Sequence, residues 1–185
     1  MINAQKFQVT SGDLHAVSDA KSFNVVFEYD PNMNVKKLSE KKYLKVQAEK
    51  KEILEEGSGY EFIQLWYKNR TEQYEPTFIQ QFNSFNLDGN QLSVGQNKES
   101  PKFTILVKTT KIIPGYSDIF YVQAADVKFE IEIYANDNPE KILCGMKTKI
   151  RGASVTEEFE RIRTAYGNLG LALSKRINRK ALANK

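Results

Sequence analysis

Two residue types able to act as nucleophile or metal ligand occur once each in this chain of 185 residues, and that scarcity limits the chemistry it could perform. His15 is the only histidine and Cys144 the only cysteine, so a Ser-His-Asp or Cys-His apparatus would rest on a histidine in a turn-rich N-terminal connection. Cys144 falls inside an apolar segment and reads as a small buried residue; with His15 it gives no metal-ligand spacing. No GxGxxG, P-loop or HExxH pattern is present, and Gly57-Ser58-Gly59 is too short to cradle a phosphate. The residue types therefore imply neither cofactor nor metal. Glu28, Asp30, Glu61 and Asp126 remain as acid/base carboxylates, provided the fold brings two of them together and buries them.

Binding chemistry is better represented. In "QLWYKNRTEQY" (64–74), Trp66, Tyr67, Arg70 and Tyr74 combine flat apolar area with polar tips, as interface anchors and sugar platforms do. At helical spacing Trp66, Arg70 and Tyr74 share one side, which is also the pattern of a core tryptophan covered by an arginine stem. Asn69-Arg70-Thr71 matches a glycosylation sequon. A second candidate is electrostatic. Residues 147–185 hold ten Lys and Arg against three Glu, although the whole chain carries only +4. Lys175, Arg176, Arg179 and Lys180 are thus candidates for contact with an anionic membrane surface. Nucleic acid is the poorer partner, because no aromatic platform or Gly-rich clamp accompanies the charge.

These residues need elements to position them. "SFNVVFEYD" (22–30) reads as a buried strand stopped by "DPNMN", and "FQV" (7–9) as a short edge strand. From Ser39, a plausible N-cap, the pattern turns helical, with Tyr43, Val46 and Ile53 or Leu54 on one side and Gly57-Ser58-Gly59 as the stop. A second helical stretch places Phe62, Leu65, Trp66, Phe78, Phe82 and Phe85 at three- or four-residue intervals, with Pro76 dividing it or starting a new helix. After a polar loop at 86–101 come three β segments. "DVKFEIEIYA" alternates strictly and pairs with "KILCGMKTKI" as a hairpin, so one sheet face is buried and the other wet.

The last helix is expected to start at Ser154, with Glu157 completing a capping box, and to run an apolar stripe from Phe159 through Ile162, Tyr166, Leu169 and Leu173 to Ile177. Inside it lie Gly167 and Gly170, each costing roughly 1 kcal/mol relative to Ala in a helix interior. Their lack of side chains must serve a close approach, to the sheet or to a neighbouring helix.

The fold expected from this order is α+β: a mixed, mostly antiparallel sheet of four to five strands with helices packed on one face. The first long strand and the strand after the helices would pair in parallel through a right-handed crossover. Hydrophobic residues at 41% and charged residues at 27% describe a globular chain, and it lacks an apolar run of about 18 residues able to span a bilayer. One domain is expected over 6–185. Residues 1–5 read as the remnant of a secretory signal or as an ordinary start.

The segments "VTSGDL", "FNVVFEYD", "LSEKKYL", "WYKNRTEQYEPTFIQQFN", "FTILVKTTKIIPGY", "NPEKIL" and "RIRTAYGNLGLALSK" together resemble, in this order, an uncharacterised family of small exported proteins from Gram-negative anaerobes. The likeness runs from about Val9 to Ile177. It implies export, with Ala4-Gln5 as the end of a processed signal, and a periplasmic or envelope location. It supplies no activity, catalytic motif or cofactor. The resulting expectation is a non-enzymatic envelope protein that binds another envelope protein or a small ligand. The alternative is a carbohydrate-binding protein or hydrolase with a cleft near Trp66 and neighbouring carboxylates. Oligomeric state does not follow from these residues.

Overall fold

The strict alternation of residues 126–135 becomes the centre of the molecule. In the computed structural model, which describes residues 6–87, 89–97 and 101–182, Val127, Phe129, Ile131 and Ile133 are at most 1% exposed. The proposed leader remnant at 1–5 lies outside the described residues, as do positions 88 and 98–100 of the polar loop.

Along the chain the elements are β1 (Gln8–Gly12), a 3-10 turn (Leu14–Val17), β2 (Ser22–Val35), β3 (Leu38–Ser39), α1 (Glu40–Leu54) and α2 (Ser58–Asn69). A π turn (Arg70–Tyr74) leads into α3 (Glu75–Asn83), β4 (Asn86–Leu87), β5 (Asn90–Gln91) and β6 (Ser93–Gly95). Then follow β7 (Phe103–Ile113), β8 (Tyr116–Ser117), β9 (Val122–Gln123), β10 (Asp126–Ala135), β11 (Asn138–Arg151) and α4 (Glu158–Leu182).

The main sheet is mixed, in the order β1-β11-β10-β7-β2-β3, with β6 also paired to β2. β2 runs parallel to both β6 and β7; the remaining pairs are antiparallel. Parallel pairing of the first long strand with the strand after the helices, and the β10–β11 hairpin, are as the sequence pattern predicts. The count of four to five strands is too low, since the sheet has seven. The additional members are short edge pieces, β3 and β6, which carry no alternating pattern of their own. β6 arises inside the loop expected at 86–101.

Three further expectations are corrected. β2 does not stop at "DPNMN": pairing with β7 shifts between Tyr29 and Asn34 and then resumes, with the Asp30 carboxylate accepting the Asn32 amide at 2.8 Å across the irregularity. Ser154 does not cap α4, which starts four residues later. The segment between stays non-helical because its groups are already engaged. The Gly152 amide donates to the Ala125 carbonyl, the Ala153 amide to Thr164 Oγ1, and the Arg161 guanidinium donates to the carbonyls of Val155 and Thr156. Finally, Ile53 and Leu54 do not continue the buried side of α1. They are 84% and 86% exposed, whereas Tyr43 and Leu44 are buried.

Ser39 does cap α1, accepting the Lys42 amide at 3.4 Å. The Glu52 carboxylate accepts the amides of Gly57 and Gly59, so the end of α1 satisfies the start of α2. The helix-interior glycines of α4 meet a helix. A Cβ on Gly170 would lie 2.3 Å from the Phe78 carbonyl oxygen, and one on Gly167 would lie 3.0 Å from Thr77 Cγ2, so α3 crosses α4 at a separation only glycine permits.

Candidate functional site

Trp66 projects from α2 into a box of rings formed by Tyr43, Phe62 and Phe159, with centroids 5.5, 6.1 and 6.3 Å away. Its indole N–H donates to Glu40 Oε1 at 2.7 Å, and the Arg70 guanidinium also donates to Oε1. Arg70 is itself held between rings, its Cζ 4.1 Å from the Tyr29 centroid and 4.9 Å from that of Tyr67. Tyr74 stacks on Tyr166 at 5.1 Å, and the Tyr166 hydroxyl shares a 2.6 Å hydrogen bond with Thr109. The predicted residues thus do converge, but inward. Trp66 and Tyr74 are each 2% exposed, and of the four only Tyr67 shows substantial surface. Trp66 offers no ring face to a sugar or other ligand.

The local reason is Pro76. It has no amide to donate, and its ring opposes the carbonyl four residues earlier, so the chain widens into a π turn. The Glu75 amide bonds the Arg70 carbonyl five residues back. That turn carries Glu75 into the interior, where it is buried, accepts from Gln96 Nε2 at 2.9 Å and meets the Tyr29 hydroxyl at 3.4 Å. Burial raises the Glu75 carboxyl above its ordinary value, opposed by the hydrogen bonds from Gln96 and Tyr29 and by the Arg70 charge. Burial likewise raises the hydroxyls of Tyr29, Tyr43, Tyr74 and Tyr166. Beside this network a shallow cleft of about 260 Å³ is lined by Asn69, Gln73, Tyr74, Glu157, Glu160 and Arg163, among others. Arg163 is already bidentate to Glu160, at 2.6 Å for each bond.

The other predicted residues disperse. Glu28 and Asp126 lie on different strands, Glu28 and Glu61 are exposed, and Asp30 accepts a local amide, so the burial that would tune such carboxylates is missing at Glu28 and Glu61. Cys144 is buried, and burial raises its thiol. Among the described residues no group of three or more His, Cys, Asp or Glu side chains could hold a metal ion. At the basic end, Lys175 Nζ lies over the Phe85 ring at 5.5 Å and the Arg176 guanidinium over Phe7 at 5.4 Å; Arg179 remains exposed and Lys180 is half-buried. Two of these four cations therefore cover aromatic core edges rather than forming an open cluster.

The exposed apolar chemistry is elsewhere. Between β7 and β10 the chain makes the small β8–β9 hairpin, whose tip carries Ile119 at 92% and Phe120 at 95% exposure, flanked by Tyr116 and Tyr121. The tip is built. Asp118 Oδ1 accepts the amides of Phe120 and Tyr121, each at 2.8 Å, the Asp118 amide donates to the Tyr121 carbonyl, and the two tyrosine rings lie 5.7 Å apart. At its root Gly115 has φ +73°, and a Cβ there would sit 2.0 Å from the Gln123 carbonyl oxygen. The Pro114 carbonyl accepts from Arg161 Nε at 2.8 Å, tying that root to α4. The sequence signal was the run Ile119-Phe120-Tyr121 directly after a turn-forming Asp, inside a stretch bounded by Pro114-Gly115.

No family model matches the chain, and no curated protein matches it. Solved structures that share features of its trace include three from two organisms. Two are PelC dodecamers from Paraburkholderia phytofirmans: one, a single-substitution variant, at 10% identity and TM-score 0.42, the other at 8% and 0.45, each over 92% of this chain and 97% of that one. The third is protein XCC0632 from Xanthomonas campestris, described by the family model DUF330, at 7% identity and TM-score 0.48 over 89% of this chain and 87% of that one. No residue here takes a role from these likenesses. No helix among the described residues is long and apolar enough to cross a membrane.

Proposed function

We propose that the protein is an exported, non-enzymatic component of a bacterial envelope that docks onto a partner surface through the β8–β9 tip. The observation that carries this reading is the nearly complete exposure of Ile119 and Phe120 on a hairpin fixed by Asp118 and Gly115. Large apolar side chains held rigidly in water are the mark of a surface that is covered in use, because preorganisation lowers the entropy lost on binding. The envelope location rests on the resemblance of the sequence segments to exported proteins. The carbohydrate or hydrolase reading loses its platform with the burial of Trp66.

The test is fractionation of cells expressing the protein from its native gene, followed by incubation of purified protein with isolated envelopes. The expected result is a chain recovered outside the cytoplasm that associates with envelopes and loses that association on Phe120→Ser. Envelope association equal in Phe120→Ser and wild type would overturn the reading.

A further inference from the structure

The hairpin tip does not stand alone. It grows from the end of the sheet where Ile113 of β7 pairs with Asp126 of β10 and Asp126 with Arg151 of β11. On the wet face, the neighbouring rung is a row of like charges: Lys111, Lys128 and Lys149 are direct cross-strand partners. Like charges directly opposite one another destabilise a sheet, so this row works against the fold unless something anionic faces it. One rung further the pattern is alternating, Glu28–Lys108–Glu130–Lys147, with Lys147 and Glu130 paired at 2.6 Å. The two rungs therefore differ in kind. The second neutralises itself and the first does not: Lys149 has Asp126 at 3.4 Å, but Lys111 and Lys128 enter no ion pair among the described residues.

The row borders an open trough of about 760 Å³ lined by Lys6, Gln8, Thr110, Lys128, Lys147 and Lys149, among others. The acidic group of the trough, Glu130, is committed to Lys147, and the acidic residue of the tip, Asp118, is committed to two backbone amides. A cationic trough and an apolar tip thus occur at the same end of one sheet.

We infer that the surface covered by the tip is an anionic lipid bilayer, with Ile119 and Phe120 entering the headgroup–acyl boundary, Tyr116 and Tyr121 at the level of the headgroups, and Lys111, Lys128, Lys149 and Lys6 facing lipid phosphates. Ile and Phe are the side chains that enter that boundary, and tyrosine favours its polar edge. The lysines need not touch phosphate to contribute, since charges act over a Debye length of about 8 Å at physiological salt. Neither signal alone suffices for stable attachment, and their combination does. This inference rests on the docking role of the tip and names its partner.

The test is co-sedimentation of the purified chain with vesicles of phosphatidylcholine alone and of phosphatidylcholine with about 30% phosphatidylglycerol. Wild type is expected to bind the anionic vesicles, to bind the neutral ones at least about tenfold more weakly, and to be released by salt. Ile119→Ser/Phe120→Ser and, separately, Lys111→Glu/Lys128→Glu are each expected to weaken anionic-vesicle binding about tenfold or more. Unchanged circular dichroism and thermal midpoints verify that both variants, altered only at solvent-facing positions, remain folded. Absence of wild-type binding to anionic vesicles at low salt overturns the inference, as does undiminished binding by either variant. If vesicles are not bound while envelopes still are in a Phe120-dependent way, the lipid assignment fails and the docking role of the tip stands with a protein partner.

Discussion

Trp66–Arg70–Tyr74 and Tyr116–Tyr121 are both aromatic clusters, and they spend their rings in opposite ways. In the first, the polar tips turn inward: the indole and guanidinium meet Glu40, and Arg70 lies between two tyrosines. In the second, backbone hydrogen bonds hold the turn while the large side chains face water. Residue types that read as binding chemistry are consumed by packing when they recur at helical spacing. Those that the fold leaves exposed sit where the sequence shows only a turn. Exposure, rather than side-chain type, separates the two regions.

That contrast breaks most visibly at Trp66. Replacement by Ala is expected to cost about 3–5 kcal/mol, from the lost ring burial and from leaving the Glu40–Arg70 pair beside a cavity, read as a shift in the denaturant midpoint. A loss near zero would mean that the ring box is not what holds α2. Next comes Gly170→Ala. The gain in helix propensity is outweighed by the clash with the Phe78 carbonyl, for a net loss of about 1–3 kcal/mol and a lower melting temperature. Glu75→Gln gives a smaller, pH-dependent effect. Because burial raises this carboxyl in the folded chain, the folded state holds the proton more tightly than the unfolded one; its stabilising contribution is present at low pH and lost as pH rises through the folded value. Wild type should therefore gain on Glu75→Gln as pH falls from about 7 to about 4.5, measured by paired urea titrations. Phe120→Ser closes the series with a change within about 0.5 kcal/mol, since its ring contributes little to the core. A large loss of stability there would show that the tip is structural and erase the contrast.

Much of the fold was legible. Strict alternation identified β10 and a turn signal its hairpin partner β11, a Ser at the right offset marked the start of α1, and two glycines in α4 announced a close crossing. The less legible parts depend on contacts between distant segments. β2 continues past "DPNMN" because β7 supplies a second run of pairing, which no local pattern records. Ser154 has the residue type and spacing of a cap, yet Arg161 takes the carbonyls of Val155 and Thr156. Ile53 and Leu54 fit an apolar stripe but fall on a side of α1 that nothing covers. For the site, residue identity marked Trp66 and Arg70 correctly as neighbours and could not say which way they faced. The lysine row was illegible for a plain reason: it exists only once strand register aligns positions 111, 128 and 149.

The π turn at 70–74 sets the angular phase of everything after it. At about 100° per residue, an unbroken α-helix would put Phe78 and Phe82 some 120° to 200° around from Phe62 and Trp66. Absorbing one residue in the wide turn brings all four onto an arc of about 100°, the width of a single apolar stripe. The insertion acts as a vernier between two helices whose sequences are out of step. Deleting one residue from this segment, a change that removes no core side chain if Thr71 or Glu72 is taken, would do the turn's work without the turn: an unbroken α-helix would then hold the four rings on the same arc of about 100° and keep the Phe78 carbonyl against Gly170 of α4.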